Sequence, residues 1–304
     1  MPYIKKQPNP NFQEPVFIPK TKIVDSGEIA GFGKWTLDED GFLTIEGTGK
    51  MPDWDNPFNV PWLREGEQIK SVQIIGTVIS IGTCSFGWCS SLERIHLPNS
   101  VTRIGDKAFD GCSSLESIIL PNGVTSIGWR AFWGCSSLKS IILTNSVTSI
   151  GDSTFVYCSG LKSISIPNSV TRIGDCAFME CRSLESIILS NSITSIGNST
   201  FECCSSLKSI IIPDGVTHIG DFAFWRCRSL KSIRLPNGVT RIGSKAFREC
   251  SGLIDITIPD SVSYIEDDAF ELCPALRHVK MPDRFNCMFF NRKYHIPKRY
   301  VEFY

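Results

Sequence analysis

The sequence predicts a β-rich α/β fold, a right-handed solenoid in which one repeated unit coils and stacks on the next. Three observations support this prediction. The dipeptide Ile-Gly recurs every 23 residues without insertion or deletion, each Ile is followed five residues later by Phe, and Cys and Leu follow at eight and eleven. A fixed period of this length is typical of repeat architectures. The isoleucines of the nine copies are Ile81, Ile104, Ile127, Ile150, Ile173, Ile196, Ile219, Ile242 and Ile265, the last followed by Glu266.

One element of each unit is a short strand. In the copy that begins at Ile104, residues 115–120 have the Leu-x-x-Ile-x-Leu form of a strand, and Pro121-Asn122-Gly123 turns the chain away. Equivalent strands of stacked units pair edge to edge at about 4.8 Å. The sequence therefore predicts a concave parallel β-sheet that runs along the array.

The other element is a short helical turn between Ile104 and the strand. It carries the apolar residues Phe109 and Cys112, and Asp106 stands at its start, where a carboxylate can cap the backbone. Val124 then points back into the core. Each unit is therefore expected to bury one side of a strand and one side of a helical turn.

A single unit cannot fold alone. Its roughly seven buried apolar side chains contribute about 1.5–3 kcal/mol each. Ordering the backbone costs roughly 1–2 kcal/mol for every residue of the unit. Stacking is therefore required, and stability grows through contacts between neighbouring units.

The units follow the pattern Ile-Gly-x-x-Ala-Phe-x-x-Cys-x-x-Leu-x-x-Ile-x-Leu-Pro over residues 72–282, and they resemble the BspA-like (Treponema pallidum-type) leucine-rich-repeat family. Upstream, the segment from Trp35 to Trp54 and the pair Pro61-Trp62 resemble that family's N-terminal cap. The resemblance implies a leucine-rich-repeat solenoid. It also implies a surface or secreted protein of a bacterium or parasitic protist that engages host or microbial macromolecules, often as an adhesin.

The same patterns divide the chain into four parts. Residues 1–24 contain five prolines and are expected to form a flexible leader. Residues 25–61 are expected to form a β-hairpin cap that turns at Asp40-Gly41. Residues 62–282 form the solenoid, which opens with a partial unit, and residues 283–304 form a C-terminal cap. The partial unit is indicated by Ile69, Val72, Ile74 and Val78, and the C-terminal cap keeps the register at Phe285 and Met288.

Composition narrows the class of protein. The 31 Lys and Arg residues balance 31 Asp and Glu residues, so nucleic acid is not an expected partner. No apolar run reaches the roughly 18 residues of a membrane span, and no membrane insertion is expected. The basic N-terminus is not followed by an apolar segment, which leaves two possibilities: a protein that stays in the cytoplasm, or one whose signal peptide has been removed.

Nine of the 13 cysteines occupy one position of the repeat. Stacked, they predict a column of buried, reduced thiols that act as small apolar side chains. Cys84, Cys176, Cys203 and Cys287 lie elsewhere, and no Cys-x-x-Cys pair supports a zinc site.

No enzyme activity and no cofactor are expected. His96, His218, His278 and His295 fall in different units, and Gly31-Phe-Gly33 and Gly47-Thr-Gly49 lack the third glycine of a nucleotide-binding loop. A recurring acidic residue two positions after the Ile could suggest bound calcium, but helix capping explains it better. Asn198-Ser-Thr200 matches a glycosylation sequon.

The concave face is the candidate binding surface. Core residues at positions +14 and +16, counted from the Ile, leave positions +13 and +15 facing outward. Position +13 is mostly serine and position +15 mostly isoleucine, which gives an apolar track with basic ends. Exposed apolar surface marks binding sites, although isoleucine also simply favours strands. The track comprises Arg94, His96, Ile119, Ile142, Ser165, Ile188, Ile211 and Arg234.

Aromatic residues at variable positions of the helical turns predict a possible second patch. Aromatic side chains are frequent interface anchors, but they could also only cover the convex side of the core. The patch comprises Trp88, Trp129, Trp133, Tyr157, Phe222 and Trp225. The sequence therefore favours a monomeric, non-enzymatic module that binds a protein or other macromolecule. An intracellular scaffold or assembly protein that uses the same surface is the alternative.

Overall fold

The computed structural model describes residues 21–63, 68–286 and 294–304. Over the nine repeats the chain winds as a solenoid in which each 23-residue coil, here called a rung, stacks directly on the next. Two parallel strand ladders run along the stack, joined on one side by tight turns and on the other by Pro-containing loops. The predicted leucine-rich-repeat solenoid is confirmed.

The first strands form the N-terminal end of the stack. β1–β3 make an antiparallel meander, and β3 also pairs in parallel with β5, so the meander continues into the repeats. The cap is therefore three-stranded, and its first strand begins two residues before the expected boundary of the leader. These strands are β1 (Ile23–Ile29), β2 (Gly33–Asp38), β3 (Phe42–Gly47), β4 (Gly49–Lys50), β5 (Ser71–Ile75) and β6 (Val78–Ile81).

The remaining strands alternate between the two ladders. The concave ladder contains β7 (Arg94–His96), β9 (Ser117–Ile119), β11 (Ser140–Ile142), β13 (Ser163–Ser165), β15 (Ser186–Ile188), β18 (Ser232–Arg234), β20 (Asp255–Thr257), β22 (His278–Met281) and β23 (Val301–Phe303). The second ladder contains β8 (Arg103–Ile104), β10 (Ser126–Ile127), β12 (Ser149–Ile150), β14 (Arg172–Ile173), β16 (Ser195–Ile196), β17 (His218–Ile219), β19 (Arg241–Ile242) and β21 (Tyr264–Ile265).

The concave sheet is parallel, as predicted, but its hydrogen bonding is interrupted. β9 pairs with β11 and β13 with β15, whereas β11 and β13 belong to different sheets. Ile211 makes only an isolated bridge to Arg234. Strands of three residues offer few of the slanted bonds of a parallel pair, so a small change in spacing breaks the ladder.

The turns are where the structure differs from the prediction. Positions +3 and +7 of every rung have positive φ, between 51° and 60° at +3 and between 58° and 76° at +7, even where the residue is Lys107 or Trp88. A left-handed residue ends a right-handed helix, so the predicted short helical turns are wrong and the segment is a run of tight turns. Backbone N–H groups here bond the next rung: Phe109 N donates to Ala131 O at 2.8 Å.

The glycine of the Ile-Gly pair allows the rungs to approach closely. A Cβ on Gly105 would lie 2.7 Å from the backbone carbon of Gly82 on the preceding rung. Real Cβ atoms do not approach a neighbour so closely. The pair is therefore a packing requirement of the stack.

The core is a continuous column of aromatic rings. The nine repeat phenylalanines from Phe86 to Phe270 are fully buried, with neighbouring centroids 5.2–5.7 Å apart and ring planes within 2–18°. Trp62 continues the column at 5.9 Å from Phe86, and Trp35 and Trp54 pack edge-on against it. The ring centroids are further apart than the ~4.8 Å of paired strands, as expected of a stack whose strand side is concave.

The C-terminal residues cover the last rung. β22 pairs in parallel with β23, Lys280 Nζ lies 3.1 Å from Glu302 Oε2, and the Tyr304 hydroxyl donates to Ile258 O at 2.7 Å. The chain thus returns to supply one more strand to the concave ladder. Of the expected cap, Met288 lies outside the described residues, as do Cys287 and most of the expected leader.

Candidate functional site

The concave face presents two outward columns of side chains. In β9, β11 and β15 the central residue is buried and both neighbours are exposed, which is the alternation expected for positions +13 to +15. The exposed isoleucines retain about half or more of their surface: 68% for Ile119, 47% for Ile142, 68% for Ile188 and 85% for Ile211. Ser165 interrupts this row at the middle rung and is exposed as well.

Polar residues mark both ends of the isoleucine row. Arg94 and His96 are exposed on β7, and Arg234 is exposed on β18. All eight residues of the predicted track therefore lie exposed on one sheet face. Their role in binding stays a prediction.

A charged rim follows position +12 along the same face. Lys139 Nζ lies 2.7 Å from Glu116 Oε1, and Lys208 Nζ lies 2.5 Å from Glu185 Oε2, each pair joining adjacent rungs. The hydrogen bond from Lys208 lowers the pKa of the Glu185 carboxyl. The charged rim is not among the predicted site residues, although the column is visible once the repeats are aligned by the Ile.

The aromatic residues of the second predicted patch lie on the turn side and do not form one surface. Trp133 packs edge-on against Tyr157 at 5.4 Å, and Phe222 lies 5.6 Å from Trp225, three to four rungs away. Trp88, Trp129 and Tyr157 are exposed, whereas Trp133, Phe222 and Trp225 are half-buried.

Cations already occupy several of these ring faces. The Arg130 guanidinium lies 4.3 Å from the Trp133 ring centroid, and Lys107 Nζ lies 4.9 Å from that of Trp129. Arg130 also lies 3.2 Å from Asp110, whose burial raises the pKa of its carboxyl despite this neighbour. These contacts give the rings a packing role on the outer surface.

The recurring acidic residues do not cap helices. The Asp106 Oδ1 atom accepts from Trp129 N at 2.9 Å, and Asp175 Oδ1 accepts from Asn198 N at 2.9 Å, in each case one rung further along. The predicted helical N-cap is therefore wrong, because the carboxylate satisfies the next rung instead. Within residues 21–63, 68–286 and 294–304, no group of three or more His, Cys, Asp or Glu side chains is placed to hold a metal ion. Glycosylation at Asn198 stays a prediction.

The column thiols are buried, apart from the half-buried Cys273, and those from Cys112 onward are hydrogen-bonded. Each Sγ from Cys112 to Cys273 lies 3.0–3.2 Å from a phenylalanine carbonyl oxygen of the preceding rung, to which the thiol donates. All twelve described cysteines are free. Burial raises the pKa of the column thiols, to about 12 for Cys273, and raises that of the off-column Cys203 to about 11. Thiols with such pKa values are poor nucleophiles at neutral pH.

Comparison with known proteins identifies the repeat. A family model described as a BspA type leucine-rich repeat region, with six copies, matches residues 64–185 and 171–294. No curated protein matches the chain.

Crystal structures of bacterial leucine-rich-repeat proteins share the fold. The leucine-rich repeat protein of T. pallidum is 27% identical over 75% of this chain and 91% of its own, with a TM-score of 0.51. A leucine-rich repeat protein from Bacteroides ovatus is 22% identical over 96% of this chain and 99% of its own, with a TM-score of 0.52. The repeat geometry and the family match together show that this chain belongs to the BspA-type leucine-rich-repeat family.

Proposed function

We propose that this chain is a non-enzymatic protein-binding module whose concave face holds its partner. One observation carries the proposal: four isoleucines stay exposed in one row on a sheet face whose other side is fully buried. Leaving large apolar side chains in water is unfavourable at about 25 cal/mol for each Å² that could be buried. An exposed apolar row of this length supports an interaction surface at this face.

The location of this activity rests on the family. We infer from membership of the BspA-type family a surface or secreted protein that binds host or microbial macromolecules, in the manner of an adhesin. In the part of the chain that the structure describes, no helix is long and apolar enough to cross a membrane.

An intracellular scaffold is the second candidate, and the free thiols favour it. Twelve described cysteines without a disulfide fit a reducing compartment, because disulfides persist mainly outside the cytosol. Fractionating cells of the source organism separates the two candidates. Detection in the cytosol alone would contradict the adhesin, whereas detection in the envelope or medium would contradict the scaffold.

Replacing Ile119, Ile142, Ile188 and Ile211 together by Asp should abolish capture of the partner from extracts by immobilised protein. Carboxylates on the row would leave charges desolvated in any interface, and even a few kcal/mol corresponds to a loss of more than about a hundredfold in affinity. Partner retention is measured by quantitative mass spectrometry of the captured fraction. Circular dichroism first establishes that the variant folds.

Asp substitutions at Thr125, Thr148, Thr194 and Thr217 provide the matched control. These threonines lie on the same four rungs but beside the second strand ladder. Loss of the same captured protein from both variants would show a general effect of charge. Retention by the isoleucine variant would remove the concave face as the binding surface.

A further inference from the structure

The isoleucine row reads the same in both directions. Counted from Ser165, an isoleucine stands one rung away on each side (Ile142 and Ile188) and two rungs away on each side (Ile119 and Ile211). The third rung away on each side carries a basic or imidazole side chain, His96 or Arg234. A row that is symmetric about its middle rung can meet a second copy of itself with like residues in contact.

The charged rim is antisymmetric about the same rung. Position +12 carries Glu93, Glu116, Lys139, Lys162, Glu185, Lys208 and Lys231 in successive rungs. Reversing that order places Glu93 opposite Lys231, Glu116 opposite Lys208 and Lys139 opposite Glu185. Only Lys162, in the middle rung, lies opposite the same residue of the other copy. Three independent pairs thus have opposite charges, and all seven side chains are exposed.

One symmetry operation satisfies both patterns. A two-fold axis in the plane of the interface, parallel to the strands and passing through the rung of Ser165, turns one sheet face onto the other. It reverses the order of the rungs but keeps each column opposite itself. The strands of the two sheets then run in nearly the same direction, which is the aligned mode of sheet packing with faces about 10 Å apart. The self-complementary surface is what a closed two-fold dimer requires.

The curvature of the face permits this contact. The phenylalanine ring centroids of neighbouring rungs lie 5.2–5.7 Å apart, only slightly more than the strand spacing of about 4.8 Å. Over the five central rungs, about 20 Å long, such a small difference bends the face by less than about 1 Å. Isoleucine side chains from two copies can bridge a gap of that depth.

We propose that the concave face binds a second copy of this chain, as a two-fold dimer with the solenoids antiparallel and Ser165 at the axis. This inference rests on the proposed function, since it uses the same face, and it names the partner. The apolar part of the face is only four isoleucines from each copy, and small interfaces are typically weak and transient, so the dimer is a weak one. Dissociation constants in the micromolar range, about 1–100 µM, are expected.

A charge exchange tests the pairing directly. One variant carries Glu116→Lys with Lys139→Glu, and a second carries Glu185→Lys with Lys208→Glu. Each keeps its own inter-rung ion pair in reversed order, so both should fold with the Tm of the native chain. In a dimer of one variant, each exchanged residue lies opposite a native residue of the other copy. All four of these contacts join like charges. In the mixed dimer, all four join opposite charges.

Sedimentation velocity at low salt measures the outcome. The native chain should self-associate, each variant alone should be weakened by at least about tenfold, and an equimolar mixture of the two should recover native association. A native chain that stays monomeric at about 200 µM would overturn the dimer. Variants that associate as well as the native chain would also overturn it, because the copies would then meet elsewhere.

Failure here is distinguishable from failure of the proposed function. If the native chain is monomeric but still captures a different protein through the isoleucine row, the binding face is supported. Only the second copy is then excluded as the partner. Capture that is unaffected by the four Ile→Asp changes removes the face itself.

Discussion

Raising the pH from about 7.5 to about 9.5 is expected to lower the free energy of unfolding by on the order of 10 kcal/mol. Nine repeat cysteines lie in one buried column, and desolvation raises the pKa of their thiols. An unfolded chain releases the same protons near pH 8.5. The folded state therefore holds more protons than the unfolded state above that pH, and its stability falls. The stabilising contribution is fully present below about pH 8.5 and is lost as pH rises towards the folded pKa values.

Urea unfolding followed by circular dichroism at a series of pH values measures this dependence. Replacing Cys135 and Cys158 by Ser provides the control, since a hydroxyl can also donate to the carbonyls of Phe109 and Phe132 but does not titrate in this range. Above about pH 8.5 the free energy of unfolding of the double variant should fall less steeply than that of the native chain, by about 2.7 kcal/mol per pH unit. A free energy of unfolding that stays constant over this range would show that the column thiols are not held protonated by the fold.

Phe178→Ala is expected to lower the free energy of unfolding by about 3–5 kcal/mol and to make the halves of the solenoid unfold separately. Phe178 is fully buried between Phe155 and Phe201, with centroids 5.3 and 5.7 Å away. Its removal takes away ring contacts to both neighbouring rungs at once. In a stack stabilised by nearest-neighbour contacts, a defect in the middle uncouples the two sides.

Calorimetry tests this expectation, because a broadened or double transition should replace that of the native chain. Phe178→Leu keeps most of the buried volume and should lose less stability while retaining one transition. A single transition at the native Tm for Phe178→Ala would contradict the view that the ring column couples the rungs.

The sequence was sufficient to predict the features that depend on the spacing of residues within one rung. The spacing of Ile104, Phe109, Cys112 and Leu115 predicts the core of a rung, and all four side chains are fully buried. The alternation about Ile118 likewise predicts which strand residues face outward. These features depend only on neighbouring residues and on repetition.

The features that sequence reasoning missed depend on contacts between rungs. Lys107 has no preference that signals a left-handed turn, and its conformation is compensated by a hydrogen bond from its N–H to Trp129 O on the next rung. Asp106 resembles a helix cap locally, but its acceptor role reaches 23 residues along the chain. The additional strand of the N-terminal cap, β1, precedes the predicted hairpin that turns at Asp40-Gly41 and pairs antiparallel with β2.

The candidate site shows the same division. The exposure of Ile119 and Ile211 follows from strand alternation, so that part of the face was predictable. The pairing of the charges at Glu116 and Lys208 was not predictable. These residues lie four rungs apart and are related only by the symmetry of the stacked face. The aromatic residues of the turn side include two ring pairs three to four rungs apart, Trp133 with Tyr157 and Phe222 with Trp225, and their role in binding stays a prediction.

Hydroxyl-radical footprinting, with and without the bound partner, tests the central claim that the concave face is the binding surface. Mass spectrometry quantifies oxidation of the exposed isoleucines and, in the same sample, of the exposed aromatic residues Trp88 and Tyr157 on the turn side. The account predicts that the partner protects Ile119, Ile142 and Ile188 while the aromatic residues remain as reactive as in the free protein. Protection of Trp88 and Tyr157 with unchanged isoleucines would place the binding surface on the turn side and contradict it.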